Sequence, residues 1–160
     1  MTIRKTRMDD LARVQEIYAG ARKYMAKSGN PTQWGTHKPP VDQVISDINA
    51  GKSYVCEKDG EMIAVFYFAV EEDETYQVIY DGAWLNDAPY GVLHRVAVSS
   101  QEKGIGSFCA KWAFEHCKNL RIDTHENNIA MRKMLEKNGF TYCGKITIQD
   151  GTERIAFQKV

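Results

Sequence analysis

The chain has 160 residues, the length of one compact domain, and a chain of this size buries enough surface to fold without disulfides or metals. It carries 21 lysines and arginines against 21 aspartates and glutamates, so the formal net charge is zero and no basic excess supports nucleic-acid binding. With 43% hydrophobic and 26% charged residues, the composition is that of an ordinary soluble globular protein and excludes collagen, coiled coil and disorder.

The first half of the chain predicts short strands and two helices. Residues 3–6 resemble a short strand, and apolar residues at three- and four-residue spacing over 11–25 predict a helix with one apolar face. A shorter helix follows over 41–48. Residues 53–57 and 61–70 then predict two strands joined by a hairpin turn.

Three irregular segments interrupt this pattern. Residues 27–40 are rich in glycine and proline, carry Trp34 and His37, and are long enough to indicate a binding loop. The acidic run 71–74 is either a solvated turn or a feature that attracts a cationic substrate. The aromatic residues of 75–90 either form an edge hairpin or line a pocket.

The second half predicts a longer alternation of strands and helices. Asn127 or Asn128 can cap the last helix, and Gly139 supplies its left-handed stop. The strands and helices are predicted over residues 92–98, 107–117, 120–124, 129–137, 140–148 and 153–158. The order β-α-α-β-β-β-α-β-α-β-β predicts an α/β fold with a mixed sheet, formed by residues 1–160 as a single domain.

The turn between the strand 92–98 and the next helix has features of an anion site. Gly104 and Gly106 let the backbone approach a ligand closely, and the first turn of a helix offers unpaired N–H groups to a phosphate or pyrophosphate. Gln101 and Lys103 can add side-chain donors. A tight turn that needs glycine for steric reasons alone remains the structural alternative.

Two nucleotide-binding motifs are disfavoured at this turn. A dinucleotide fold needs a third glycine where this sequence has Cys109, although Asp123 stands where its ribose-binding acid is expected. The turn also lies two-thirds along the chain, which leaves too little sequence for that parallel sheet. No Gly-x-x-x-x-Gly-Lys-Ser/Thr motif occurs, which excludes a P-loop.

The spacing Gln-x-x-Gly-x-Gly after a strand resembles the acyl-CoA-binding signature of the GNAT superfamily of N-acyltransferases. Asn128 through Met131 and Leu135, followed by Gly139 and Phe140, resembles the next motif of that superfamily, Asn-x-x-Ala…Gly-Phe. The resemblance implies a GNAT-like fold and transfer of an acetyl group from acetyl-CoA to a primary amine. The acceptor would be a small molecule or a protein amino group.

The resemblance also implies a cofactor site. The strand 92–98 would pair with the pantetheine arm and splay away from the strand 120–124, so that the cofactor enters the gap. Amides of the turn would hold the pyrophosphate. The residues implied in acetyl-CoA binding are Val96, Ala97, Val98, Gln101, Glu102, Lys103, Gly104, Ile105, Gly106, Ser107, Asn128 and Met131.

The harder half of such a reaction is removing a proton from the amine. A lysine-like amine has a pKa near 10.4, so only about one molecule in 2,500 is neutral at pH 7. We predict His94 as the base, because the base of this family often lies on the same strand. A partly buried histidine bonded to a neighbour is the alternative. Strand alternation predicts one shared face for Val92, His94, Val96 and Val98.

The acid is less clear from the motif, because Leu135 stands where the family often has a tyrosine. Tyr142, Tyr90 or water are the candidates, with Tyr142 predicted as the catalytic one. Asp123 could be a structural anchor, and His125 with Glu126 could cap a helix or lie at the surface. The residues predicted to line the acceptor pocket, unless they belong to the core, are Trp34, Tyr80, Trp84, Tyr90 and His125.

The remaining features concern compartment and assembly. The longest uncharged apolar run, 62–70, is far short of the ~20 residues of a membrane span, and the first ten residues show no signal core. Exposed strand edges make a homodimer a candidate assembly. We expect a cytoplasmic protein with no membrane partner, no metal and reduced, widely spaced thiols at Cys56, Cys109, Cys117 and Cys143.

Three functions are compatible with these residues. The leading hypothesis is an N-acetyltransferase that uses acetyl-CoA. A non-catalytic acyl-CoA sensor is the alternative, motivated by Leu135. Nucleotide binding without CoA is a third and weaker hypothesis.

Overall fold

The computed structural model describes residues 1–99 and 103–160. Over these residues it has seven strands and four α-helices, in the predicted order, with short 3-10 helices at Met8–Asp10 and Glu74–Tyr76. None of the described helices is long and apolar enough to cross a membrane. The elements are β1 (Thr2–Lys5), α1 (Leu11–Lys27), α2 (Val41–Asn49), β2 (Ser53–Lys58), β3 (Glu61–Val70), β4 (Gly91–Val98), α3 (Ile105–Cys117), β5 (Leu120–Thr124), α4 (Ile129–Lys137), β6 (Thr141–Thr147) and β7 (Glu153–Lys159).

The strands form one mixed sheet in the order β1-β2-β3-β4-β5-β7-β6. The pair β4–β5 is parallel, and the other neighbouring pairs are antiparallel. Successive residues of β3 point to opposite faces, each covered by helices. α1 and α2 pack on the face of Val65 through Ile17 and Val44. α3 and α4 pack on the face of Phe66, where Leu135 is buried. The predicted α/β fold with a mixed sheet is confirmed.

β4 and β5 separate soon after they begin. Gly91 pairs with Leu120 and Val92 with Arg121, and no later pair joins the two strands among the described residues. β5 instead pairs along its whole length with β7. The two parallel strands therefore splay, as the family resemblance implied, and leave a gap beside the second half of β4.

β4 carries an extra residue relative to its other neighbour, β3. Val65 pairs with Ala97. Two residues later in β3, Tyr67 pairs with His94, which lies three residues before Ala97. The extra residue forms a β-bulge, within which Arg95 has a left-handed φ of +52°.

The prediction that four residues of this strand share one face is wrong, and the bulge is the physical reason. Val92 and His94 lie on the face of Tyr67. Beyond the bulge the alternation is reversed, so that Val96 and Val98 pack against the core beneath α3. The strand therefore presents His94 on one face and Val96 and Val98 on the other.

Two helices hold the bulge in place. The guanidinium of Arg95 donates two hydrogen bonds to Asp47 of α2, at 2.9 and 3.0 Å, and lies 4.6 Å from the ring centre of Tyr67. Asp47 is buried and also accepts from Gln43. The hydroxyl of Tyr18 in α1 donates to the carbonyl of Arg95 at 3.1 Å. These contacts offset the cost of the left-handed conformation, about 1–2 kcal/mol for a residue with a side chain.

We predict that Asp47→Ala lowers the free energy of unfolding by about 3 kcal/mol, because it leaves the Arg95 guanidinium without its carboxylate partner. Urea unfolding measures the change. The matched control is Asp42→Ala, an exposed aspartate in the first turn of the same helix, which should cost less than about 1 kcal/mol. Equal losses in the two variants would contradict a structural role for the Arg95–Asp47 pair.

Candidate active site

Two cavities meet beside β4. The first, called the groove here, has a volume of about 450 Å³ and lies between α1, the end of β4, the start of α3, and α4. The second, called the cleft, has a volume of about 400 Å³ and is bordered by β4, β5, the start of β7 and residues 33–43. Met25, Val96 and Met131 line both cavities. The two cavities therefore adjoin at these three residues.

The predicted cofactor residues that the structure describes come together in the groove. Gln101 and Glu102 lie outside the described residues. The lining residues among those predicted are Val96, Ala97, Val98, Lys103, Gly104, Ile105, Gly106, Ser107, Asn128 and Met131.

The start of α3 has the geometry of an anion site. Gly104 is the N-cap, with a left-handed φ of +91°, and its carbonyl accepts the first intrahelical bond from Phe108. The backbone amides of the first turn of α3, before Phe108, have no acceptor within the helix. A Cβ at Gly106 would meet nothing closer than Met134, at 4.0 Å. The chain thus leaves open space in front of a row of N–H donors, which fits a pyrophosphate.

Lysines add positive charge to the same groove. Lys103 precedes α3, while Lys133 and Lys137 extend from α4 on the other side. Ammonium groups attract phosphates, and the dipole of α3 adds a partial positive charge at its N-terminus. The donor set is therefore suited to the phosphates of CoA.

Asn128 connects the groove to the cleft. It caps α4, where its Oδ1 accepts from the amide of Met131 at 3.1 Å. Its Nδ2 donates to Oε1 of Gln33 at 3.0 Å. Gln33 also accepts from Asn30 and lines the cleft. The helix cap and the irregular segment before α2 therefore share one hydrogen-bond network.

His94 lies in the cleft between two carboxylates. Its Nε2 is 2.7 Å from Oδ2 of Asp73, and its Nδ1 is 3.9 Å from Oδ2 of Asp123. The hydroxyl of Tyr76 donates to that same oxygen of Asp123 at 2.6 Å. The side chain of His94 is 20% exposed, which leaves it accessible from the cleft.

The ionisation of Asp73 determines which nitrogen of His94 is free. Burial would raise the pKa of Asp73, but hydrogen bonds from His94 and Thr75 lower it to about 2. An ionised carboxylate can only accept, so Nε2 of neutral His94 carries the proton and donates it to Asp73. The lone pair of Nδ1 then faces the side of Asp123, where a proton from an acceptor can be received.

The acidic run 71–74 is partly a solvated turn and partly a lining of the cleft. Glu72 and Glu74 are exposed, as in a solvated turn. Glu71 and Asp73 line the cleft, and Glu71 binds Lys52 at 2.6 Å. Sequence reasoning missed Asp73 as the partner of His94, because a run of four acids does not indicate which of them turns inward.

Trp34 lies in the cleft as predicted, with its ring 5.7 Å from that of Tyr18. A further residue of the cleft, Arg154 of β7, was also missed by the sequence reasoning. It donates from Nη2 to the backbone carbonyl of Gln33 at 3.1 Å. In the sequence it stands within a strand pattern, where a charged residue normally faces solvent.

Three aromatic residues predicted for the acceptor pocket do not line the cleft. Trp84 and Tyr90 lie against the guanidinium of Arg121, at 4.2 and 4.0 Å from its carbon, and pack on the core. Tyr80 donates to Glu153 at 2.9 Å, at the outer side of the β6–β7 hairpin. Apart from Thr75, which lines the cleft, and Tyr76, which donates to Asp123, the segment 75–90 covers the sheet. Tyr90 contacts the cleft indirectly, because its hydroxyl accepts a hydrogen bond from the backbone amide of Asp73 at 2.8 Å.

His125 and Tyr142 also lie outside the cleft. His125 contacts Thr32 at 3.3 Å, and burial, with the nearby charge of Arg154, lowers its pKa. Tyr142 is 48% exposed on β6, the edge strand, where its ring packs edge-on against Phe157. β6 is separated from β5 by β7, which explains why Tyr142 does not reach the gap beside β4. Among the described residues, no cluster of His, Cys, Asp or Glu is placed to hold a metal.

We predict that the contribution of Asp73 to stability depends on pH with a defined sign. Its pKa is lowered from 3.8, so its ionised form stabilises the fold above pH 4, and this contribution is lost as the pH falls towards 2. Allowing for solvent screening, the contribution is about 1–2 kcal/mol. Urea unfolding should show Asp73→Asn less stable than the wild type at pH 7, with the difference closing near pH 2.

The control for this measurement is Glu72→Gln, which changes an exposed neighbouring carboxylate. It should differ little from the wild type at either pH. A difference for Asp73→Asn that persists unchanged at pH 2 would show that shape or packing, rather than charge, explains its effect.

The comparisons with known proteins agree with this geometry. The model of the acetyltransferase (GNAT) family matches residues 14–140. The crystal structure of a GNAT family acetyltransferase from Streptococcus agalactiae is 32% identical, with a TM-score of 0.91 over 99% of this chain and 94% of that one. No curated protein sequence matches the chain.

More distant structures share the fold. The ribosomal-protein-alanine N-acetyltransferase from Brucella melitensis is 18% identical, with a TM-score of 0.68 over 100% of this chain and 99% of that one. The structure of yncA from Salmonella typhimurium with its cofactor acetyl-CoA is 17% identical, with a TM-score of 0.66 over 98% and 91%. On the family model and the Streptococcus structure together, the chain belongs to the GNAT family of acetyltransferases.

Proposed function

We propose that the protein is an N-acetyltransferase that transfers an acetyl group from acetyl-CoA to a primary amine. The observation that carries this proposal is the junction of the two cavities. The groove, with its donors for a pyrophosphate, adjoins the cleft that holds His94, and Val96 lines both. A thioester bound beside Val96 would lie next to His94, which stands two residues earlier in β4 and faces the cleft.

Two backbone segments of the chain can bind acetyl-CoA, one at its pyrophosphate and the other at its pantetheine arm. The amides of the first turn of α3 bind the pyrophosphate, with Lys103 beside them. The second half of β4 has no partner in β5 among the described residues, so its edge can pair with the amide groups of the pantetheine arm. When bound in this way, acetyl-CoA supplies an acetyl group activated as a thioester.

The cleft supplies the base that the amine requires. Asp123 attracts the ammonium form of the acceptor, and Nδ1 of His94 takes its proton. Asp73 fixes the ring of His94 and stabilises the positive charge that it gains. The neutral amine nitrogen bonds to the acetyl carbon and the C–S bond breaks. The nitrogen then loses a second proton, which passes through water to the leaving sulfur, so that CoA leaves as its thiol while the first proton stays on His94.

The cofactor site is tested by Gly106→Val. The added Cβ meets only the flexible side chain of Met134, at 4.0 Å, so the fold should persist while the pyrophosphate is pushed away from the amides. Losing two hydrogen bonds to a charged group lowers the affinity for CoA about 100-fold. Isothermal titration calorimetry with CoA measures the change.

The matched control is Gly20→Val in α1, another helical glycine whose Cβ would meet nothing within 4 Å. It should bind CoA like the wild type. If Gly106→Val binds CoA with unchanged affinity while both variants remain folded, the pyrophosphate does not lie at the start of α3.

The chemical role of His94 is tested by His94→Ala. We expect the rate of CoA release, measured with acetyl-CoA and the best acceptor from a panel of primary amines, to fall by about 100- to 1,000-fold. The affinity for CoA should remain unchanged, because His94 lies outside the groove. His116→Ala, at an exposed histidine of α3, is the control and should retain full activity.

The same assay separates the enzyme from a sensor. Binding of CoA without release from any amine of the panel would favour a non-catalytic acyl-CoA sensor and overturn the proposed reaction. Release that is equally fast in the wild type and in His94→Ala would leave the reaction standing and exclude His94 as its base.

A further inference from the structure

The charged side chains of the cleft are mostly paired within the protein. Glu71 binds Lys52, and Lys38 binds Asp150 at 3.0 Å. Arg95 binds Asp47, and Asp73 binds His94, as described above. Within residues 1–99 and 103–160, two charged groups of the cleft have no oppositely charged group at hydrogen-bond distance, and they have opposite signs.

The first is the guanidinium of Arg154. This residue is 5% exposed, yet no carboxylate of the described residues lies within 4.0 Å of it. It donates only to neutral oxygens, those of Thr152, Glu153 and Gln33, each at 3.1 Å. A guanidinium stays charged at any physiological pH, and a buried one without an anion is costly. It also has more N–H donors than these three contacts use.

The second is the carboxylate of Asp123. It accepts from the hydroxyl of Tyr76, and the nearest nitrogen of a basic side chain, Nδ1 of His94, is 3.9 Å away, beyond hydrogen-bond distance. Its side chain is 14% exposed and lines the cleft.

The two unpaired charges lie close together on neighbouring strands. Asp123 of β5 pairs with Ala156 of β7, and Arg154 lies two residues before Ala156 on the same face. Such diagonal neighbours are about 7–8 Å apart between their Cα atoms. The cleft therefore presents one anion and one cation at a short separation.

We infer that the acceptor is a small amino acid, whose carboxylate binds Arg154 and whose amine lies between Asp123 and His94. This inference rests on the proposed function and specifies its acceptor. A zwitterion places a negative charge on the unpaired guanidinium and a positive charge on the unpaired carboxylate. The guanidinium is also the side chain best matched to a carboxylate, which it can bind through two parallel hydrogen bonds.

Other amines fit this charge pattern less well. A polyamine would place a further positive charge next to Arg154. The N-terminus of a protein has its first carbonyl in an amide, which accepts hydrogen bonds but carries no charge. A cleft of about 400 Å³ is in the range of small-molecule sites.

The test compares each of the common L-amino acids with its own α-amide, at saturating acetyl-CoA, by CoA release. The amide keeps the side chain and the amine but has no negative charge. Its amine is also less basic, so more of it is neutral and reactive. We expect kcat/KM for the preferred amino acid to exceed that of its amide by about 100-fold.

The variant Arg154→Met tests the residue itself. We expect kcat/KM for the amino acid to fall about 100-fold, mainly through KM, while the value for the amide stays unchanged. Lys38→Met, which removes a cation that is already paired with Asp150, is the control and should change kcat/KM for both substrates by less than about 3-fold. Thermal unfolding and CoA affinity show whether Arg154→Met keeps its fold.

Arg154 also holds Gln33, and a purely structural role would lower activity towards the amino acid and the amide equally. Such parallel losses would overturn the inference. So would a wild-type protein that acetylates amides and polyamines as well as it acetylates amino acids. In either case CoA release from the amines would still support an N-acetyltransferase. If Arg154→Met does not fold, the inference is tested by the wild-type protein alone, through its kcat/KM for each amino acid and for the corresponding α-amide.

A protein that releases no CoA with any amine overturns the proposed reaction, and calorimetry then decides the acceptor. With the protein saturated with CoA, the expected result is binding of the amino acid about 100-fold tighter than that of its amide. Equal or absent binding of both would overturn the amino-acid site.

Discussion

The extra residue at Arg95 in β4 determines where both halves of the site lie. In a regular strand, His94 and Val96 would point to the same face of the sheet. The bulge reverses the alternation between them, so that His94 meets Asp73 in the cleft while Val96 borders both cavities. The Arg95–Asp47 pair maintains this reversal from α2. A contact with α2 thus sets the position of His94.

Gln33 plays a corresponding part on the other side of the cleft. Its side-chain oxygen accepts from Asn128, which caps the helix that lines the groove. Its backbone carbonyl accepts from Arg154, the cation of the proposed acceptor site. One residue of an otherwise irregular segment therefore contacts the supports of both ligands. This explains why residues 28–40 have a defined place in the fold without forming a helix or strand of their own.

The sequence predicts the elements well where periodicity or a turn residue determines them. The order of the strands and helices follows from apolar spacing, and the turn before α3 follows from Gly104 and Gly106. The bulge could not be predicted, because nothing in the local sequence around Arg95 marks a left-handed residue, and its support comes from a helix about fifty positions away. Asp73 and Arg154 were missed for a similar reason. Their roles depend on burial beside groups that are distant in sequence, whereas charge patterns along a chain report mostly on solvent exposure.

The environment of Leu135 bears on how such a site could work without a nearby tyrosine. Leu135 is fully buried in the core under α4, and Tyr142 stands on the edge strand, so neither offers a proton in the cleft. A thiol with a pKa near 8.5 leaves readily as a thiolate, whereas an amine with a pKa near 10.4 cannot attack until it loses a proton. The demand on the protein is therefore unequal, with most of it on the base. In the proposed reaction His94, held by its hydrogen bond to Asp73, meets that demand, and water protonates the leaving thiolate.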